Sequence, residues 1–475
     1  MSPRSVGRQG EMVDIERARP TVGPQGRAYL IACSEDEDLT TSLEELAELV
    51  RAAGAEVVGV MVQREPVPDS ALYFGRGKAE ELQAAALMAR ATLVVADDEL
   101  TPTQRRNLER VVGLPVLDRT QVILDIFAQR ARSREGKLQV ELAQLTYLLP
   151  RLVGWGQTLS RLGGGIGTRG PGETRLEYDR RRIKRRIAEL RRQIAEVARH
   201  REQHRRGRAA LEMPVVALVG YTNAGKSTLL NALSGSQVSV KDRPFETLDP
   251  TVRRVYLAEG SHCLMTDTVG FIKKLPTHLV AAFRATLEEV TRADLLVHVV
   301  DASRPDVERQ MQAVFETLEE IGAATRPVVL VFNKIDRADG AALRALLDRY
   351  PQAVTVSALY RTNLDRLREA ISEALRGEEE VLELVIPYSE SRLLSLLYRR
   401  GRVIEQTYLD DGVRVRVALP ETFAGRLAAY RGTGTAINLP VSARGRLQAP
   451  ASRSAWRRAY FTEADVGRPD EVRGV

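Results

Sequence analysis

Gly220-Tyr221-Thr222-Asn223-Ala224-Gly225-Lys226-Ser227, with Thr228 after it, is the stretch on which the fold turns. It follows Val215–Val219, an all-apolar run of the kind that fills the middle of a parallel sheet. It leads into an apolar helical pattern from Thr228 to Leu233. Strand, glycine-bearing turn and helix in that order describe a P-loop. The glycines let backbone N–H groups close around a phosphate, and the helix N-terminus adds a favourable dipole. Lys226 is then placed to reach β and γ oxygens, and the Ser227 hydroxyl to ligate Mg²⁺.

Three further motifs follow in the order a guanine-nucleotide site requires. Asp267-Thr268-Val269-Gly270 ends the apolar segment beginning at His262. Alone it would be an ordinary turn. After a P-loop, it sets Asp267 beside the Mg²⁺ through water and lets the Gly270 N–H sense a γ-phosphate. Asn333-Lys334-Ile335-Asp336 ends a second apolar run, Val328–Phe332. The Asp336 carboxylate can accept from guanine N1–H and the exocyclic amine. Adenine would leave it unpaired, which selects GTP over ATP. Lys334 would lie along the base plane, and Asn333 would tie this loop to the P-loop. Ser357-Ala358-Leu359 can offer a backbone N–H to guanine O6. Between the P-loop and Asp267 lies Phe245-Glu246-Thr247-Leu248-Asp249-Pro250-Thr251, the place of a switch loop whose threonine joins the Mg²⁺ shell when γ-phosphate is present. Thr247 and Thr251 both qualify on position.

Two residues bear on rate. Many GTPases carry Gln after Asp-x-x-Gly to orient the attacking water; here it is Phe271, so slow unassisted hydrolysis is expected. Asn223 resembles the position that binds K⁺ in potassium-stimulated GTPases, and serves equally well as an amide that stabilises the loop.

The chain has 475 residues, enough for two to four domains, with 44% apolar residues and only 5% aromatics. The low aromatic content argues against binding that depends mainly on stacked bases. Two cysteines and five scattered histidines give neither a disulfide framework nor a zinc pattern. With no signal-peptide core and no apolar run of membrane-span length, the expectation is a cytoplasmic, monomeric protein. Net charge is +7, but it is concentrated: residues 175–208 hold 13 Arg and Lys184 against five acids, a local net charge of +9. Leu176, Ile183, Ile187, Leu190, Ile194 and Val197 form a heptad seam along the same stretch. It reads as one arm of a basic helical hairpin, about 133–153 and 173–207, with the glycine-rich Gly163–Gly172 as a mobile tip. Such charge favours phosphate neutralisation and an RNA partner; the plainer reading is a solvated coiled coil that joins domains.

The organisation expected is α/β: a P-loop GTPase domain, mostly parallel sheet with flanking helices, at 212–378. It is preceded by a disordered 1–26, a small α/β domain at 27–132 and the hairpin at 133–211. It is followed by a small α/β domain at 379–431 and a disordered tail at 432–475. Tyr73-Phe-Gly-Arg-Gly-Lys78 fits a βα turn or RNA contact better than a second nucleotide site.

These segments together resemble the HflX family of ribosome-associated GTPases, within the Obg-like group, over about residues 27–430. The carriers are Tyr73 to Leu82, Asn107-Leu-Glu109, Asp118-Arg119-Thr120, Gly163–Glu173 and Phe245–Thr251. The resemblance implies that Thr247 is the switch threonine on Mg²⁺. It also implies a GTP/GDP cycle on the large ribosomal subunit and its RNA, in which the GTP form splits stalled or idle ribosomes, notably under stress. A ribosome-assembly or RNA-modification GTPase, or a GTP-controlled RNA-binding sensor, are the competing readings.

Overall fold

The computed structural model describes residues 22, 26–35, 39–65, 67–151, 171–209, 213–235, 244–245, 251–258, 261–272, 284–376, 379–390, 393–394, 397–398 and 401–420. They fall into two compact units. The first holds the described residues up to 209 together with 244–245, 268–272 and 284–288, and the second holds the rest.

The first unit is built on four strands, β1 (Arg27–Cys33), β2 (Glu56–Gln63), β3 (Leu93–Ala96) and β4 (Val116–Asp118), in the order β2-β1-β3-β4. Every neighbouring pair is parallel. That is why β1 and β3 read as unbroken apolar runs: both faces are covered. The covering helices are α1 (Leu39–Ala52), α2 (Arg76–Met88), α3 (Pro102–Val112) and α4 (Arg119–Arg130). Two of them start on a capping side chain, α3 on Thr101 and α4 on Asp118. Thr101 and Gln104 cap α3 reciprocally with Pro102 in its first turn, and Gly113 ends it at φ +73°. Tyr73–Lys78 forms the βα turn into α2. The Tyr73 ring is buried at the ends of β1 and β3, donating to Asp98 Oδ2 at 2.7 Å and accepting the Cys33 N–H at 2.9 Å. Val22 is buried, and its N–H donates to Asp125.

A helical pair completes this unit: α5 (Arg134–Arg151) and α6 (Pro171–Ala209). Ile183, Ile187 and Leu190 are buried along the seam, Ile194 and Val197 half-buried. Arg186 grips Glu141 of α5 with two of its guanidinium nitrogens, Nε and Nη2, at 2.7 and 3.0 Å. The sequence reading ended the glycine-rich loop at Gly172, but α6 already begins at Pro171. Proline suits a first helical turn, where its missing N–H is not needed. The rest of that loop, Gly163–Gly170, lies outside the described residues, as does the tail from 432.

In the second unit six strands order as β10-β9-β8-β5-β7-β6. They are β5 (Val215–Val219), β6 (Thr251–Tyr256), β7 (His262–Asp267), β8 (Leu295–Asp301), β9 (Val328–Asn333) and β10 (Val354–Thr355). Only the edge strand β6 is antiparallel. β5 sits between β7 and β8, its residues Val216 to Val219 fully buried. The helices α7 (Lys226–Ser234), α8 (Val307–Glu320), α9 (Gly340–Arg349) and α10 (Leu364–Arg376) accompany the sheet. A three-stranded antiparallel sheet follows: β11 (Glu379–Pro387), β12 (Arg402–Tyr408) and β13 (Gly412–Pro420), in the order β11-β13-β12. Between β11 and β12, residues 393–394 and 397–398 are helical. Among the described residues no helix is long and apolar enough to cross a membrane.

Candidate functional site

The loop between β5 and α7 can only be built with glycine at two positions. Gly220 has φ +149°, and a Cβ there would lie 2.2 Å from the Val299 carbonyl oxygen. Gly225 has φ +93° and caps α7; a Cβ there would lie 2.3 Å from the Asn333 amide nitrogen. The backbone is thus drawn tightly over β8 and β9. Asn223, also in the loop, takes φ +61°, a conformation asparagine tolerates better than most residues.

Lys226 is buried, and its ammonium donates to the Gly220 and Tyr221 carbonyls at 3.0 and 2.8 Å. Burial lowers its pKa to about 8, with the Asp267 charge pulling the other way. Behind it on β8, His298 is buried and held neutral: burial, and then the Lys226 charge, bring its pKa down to about 3. The Ser227 hydroxyl donates to Asp267 Oδ2 at 2.6 Å. A hydroxyl and a carboxylate, both hard oxygen donors, meet here at the start of a helix, which fits the preference of Mg²⁺.

Asn333 ties two loops together. Its amide donates to the Ala224 carbonyl at 2.9 Å, and its amide oxygen accepts the Ala358 N–H at 3.0 Å. Ser357 in turn donates to Asp336 Oδ1 at 2.6 Å, leaving Asp336 exposed at the rim. Leu359 is exposed beside Ala358, and Ile335 is half-buried. Lys334, at φ +60°, pairs with Asp301 at 2.8 Å. The structure therefore brings together Gly220 to Thr228, Asp267, Asn333 to Asp336 and Ser357 to Leu359, all in the second unit.

Other residues singled out in the sequence are placed differently. Phe245, Thr268, Val269 and Gly270 group with the first unit. Phe245 is buried, and its ring meets Phe127 of α4 edge-on at 4.7 Å between centroids. Phe271 is buried as well. Glu246, Thr247, Leu248 and Asp249 lie outside the described residues. Asp301 and His298 were not singled out in the sequence. Asp301 ends an apolar strand just as Asp267 does, so the same strand-end signal could have found it; a histidine inside an apolar strand offers no such signal.

Family models fit the chain in three consecutive pieces. "GTP-binding GTPase N-terminal" matches residues 40–128, "GTP-binding GTPase Middle Region" 130–208, and "50S ribosome-binding GTPase" 215–334. Among curated proteins, GTPase HflX of Caldanaerobacter subterraneus subsp. tengcongensis is 49% identical over 408 residues, covering 85% of this chain and 93% of that one. GTPase HflX of Escherichia coli is 44% identical over 406 residues, covering 85% and 95%. A solved GTP-binding protein from Sulfolobus solfataricus, in complex with GDP, is 26% identical over 74% of this chain and 98% of its own, with a TM-score of 0.41.

Proposed function

Because the chain belongs to the HflX family of GTPases, we propose that its hydrolysis of GTP drives a factor that binds the large ribosomal subunit and splits or remodels stalled or idle ribosomes, notably under stress. The observation that carries this reading is α6. Arg180, Arg181, Lys184, Arg185, Arg191 and Arg192 are all exposed on one helix of the unit that precedes the nucleotide site in the chain. That is far more positive charge than solubility needs, and it suits a phosphate backbone. The cell compartment that fits is the cytoplasm, and the working form a monomer.

In this account the residues divide the work as follows. Backbone N–H groups of Gly220 to Ser227, with Thr228 closing the turn, cradle the phosphates. Lys226 exchanges its two carbonyl partners for β and γ oxygens. Ser227 and Thr247 would hold Mg²⁺, with Asp267 beside them; the ion, when bound, would neutralise charge that develops on the phosphates. The Gly270 N–H senses the γ-phosphate. Asp336 reads guanine, Lys334 flanks the base, and the Ser357-Ala358-Leu359 loop offers a backbone N–H to O6. Phe271 cannot orient a water, so turnover waits for a partner or a K⁺ held by Asn223. Exchanging K⁺ for Na⁺ without loss of rate would dismiss that ion.

Sedimentation tests the reading. Intact ribosomes incubated with the protein, GTP and K⁺ should shift to separate subunits, with faster hydrolysis. Association only with immature particles would instead favour an assembly GTPase, and binding without faster turnover an RNA-binding sensor.

A further inference from the structure

Asp118-Arg119 carries part of the family resemblance, yet the GTP cycle gives it no task. Asp118 closes β4 and caps α4, its Oδ1 accepting the Gln121 N–H at 3.0 Å. It is buried at the carboxyl edge of the sheet, 1% exposed. The same oxygen accepts the Tyr147 hydroxyl at 2.7 Å. Its other oxygen accepts the Leu100 N–H and the Arg151 guanidinium, both at 3.3 Å. Tyr147 and Arg151 form the last turn of α5.

That turn needs outside help. Pro150 lies inside it and has no N–H to donate, so the helix ends one backbone bond short. Arg151 anchors the turn with side-chain bonds: to the Tyr147 carbonyl at 3.1 Å, the Leu100 carbonyl at 3.1 Å and Glu99 at 3.1 Å. Its guanidinium also lies 3.6 Å from the centre of the Tyr147 ring. Arg119, the next residue along, faces the other way, pairing with Asp97 and Glu45. One dipeptide therefore fixes α4 between α1 on one side and the end of α5 on the other.

We propose that Asp118 is a positioning residue for RNA binding: with Tyr147 and Arg151 it fixes the end of α5, the helix whose Glu141 holds Arg186 of the basic α6. This rests on the ribosomal reading above. A purely structural brace would contribute stability but not alignment, and the two roles separate experimentally.

The test uses the full chain with Tyr147→Phe, Arg151→Ala and Arg151→Lys. In each, Asp118 keeps the Leu100 and Gln121 N–H groups, and circular dichroism checks that each variant is folded, since the Arg151 charge offsets the burial of Asp118. GTP turnover is measured against the concentration of purified large ribosomal subunits, and amide exchange is followed over residues 143–151. Tyr147→Phe and Arg151→Ala should raise the half-saturating subunit concentration by about tenfold, the scale of one lost hydrogen bond. Unstimulated and saturated rates should stay as they were, exchange at the end of α5 should quicken, and Arg151→Lys should recover part of the loss. A lower melting temperature with unchanged half-saturation, or unchanged exchange in Arg151→Ala, overturns the proposal. If the unaltered chain is not stimulated by subunits at all, the ribosomal reading fails on its own, and the exchange arm still decides whether Asp118 clamps the helix.

Discussion

Asp336 stands exposed at the rim, with the Ser357 hydroxyl on one of its oxygens, and the proposed choice of guanine turns on it. Replacing it with asparagine puts a donor where guanine also donates. Asp336→Asn should weaken GTP binding by at least about 100-fold and favour xanthosine triphosphate. Competition binding with both nucleotides measures this, and unchanged GTP affinity would remove Asp336 from base recognition. Lys226 makes a prediction with a definite sign. Its pKa in the folded, nucleotide-free chain is about 8 against 10.5 for a free lysine. The unfolded chain binds more protons between those values, so this residue makes the empty protein more stable as pH rises through them. A bound phosphate reverses the preference, because it favours the ammonium. Nucleotide binding near pH 8.5 should therefore take up about half a proton or more, read by calorimetry in buffers of different ionisation enthalpy. No uptake would mean that the lysine does not meet phosphate.

Elements differ in how openly the sequence announces them, and the reasons are physical. The P-loop was legible because a backbone drawn against Val299 and Asn333 admits only glycine at 220 and 225. The parallel sheets were legible because strands covered on both faces must be apolar throughout. The start of α6 was not, because the glycines before Pro171 outweighed a proline that helices accept at their first turn. The Asp118–Arg151 contact was equally hidden: its partners stand 33 residues apart and meet only through packing. For α6 itself the expectation concerns salt. Changing Arg180, Arg181 and Arg185 to glutamine should lower the slope of log affinity against log salt for large-subunit binding by about two to three. An unchanged slope would make the helix a joint between domains and nothing more.

At the scale of the whole molecule, two compact units divide the chemistry. The second holds the phosphate loop, Asp267 and the residues around Asn333 proposed to read guanine. The first holds the basic helix and the clamp at Asp118, and Phe245 and Phe271 group with it as well. The residues on either side of the proposed switch chemistry thus belong with the unit that carries the basic helix. Such a division suits an enzyme that turns over slowly until its partner engages. The measurement that bears most directly on this is GTP turnover of the full chain in K⁺, alone and with purified large ribosomal subunits. The account predicts slow hydrolysis alone, at least about tenfold faster with subunits, and none of that gain in Lys226→Ala. Equal rates with and without subunits would contradict it.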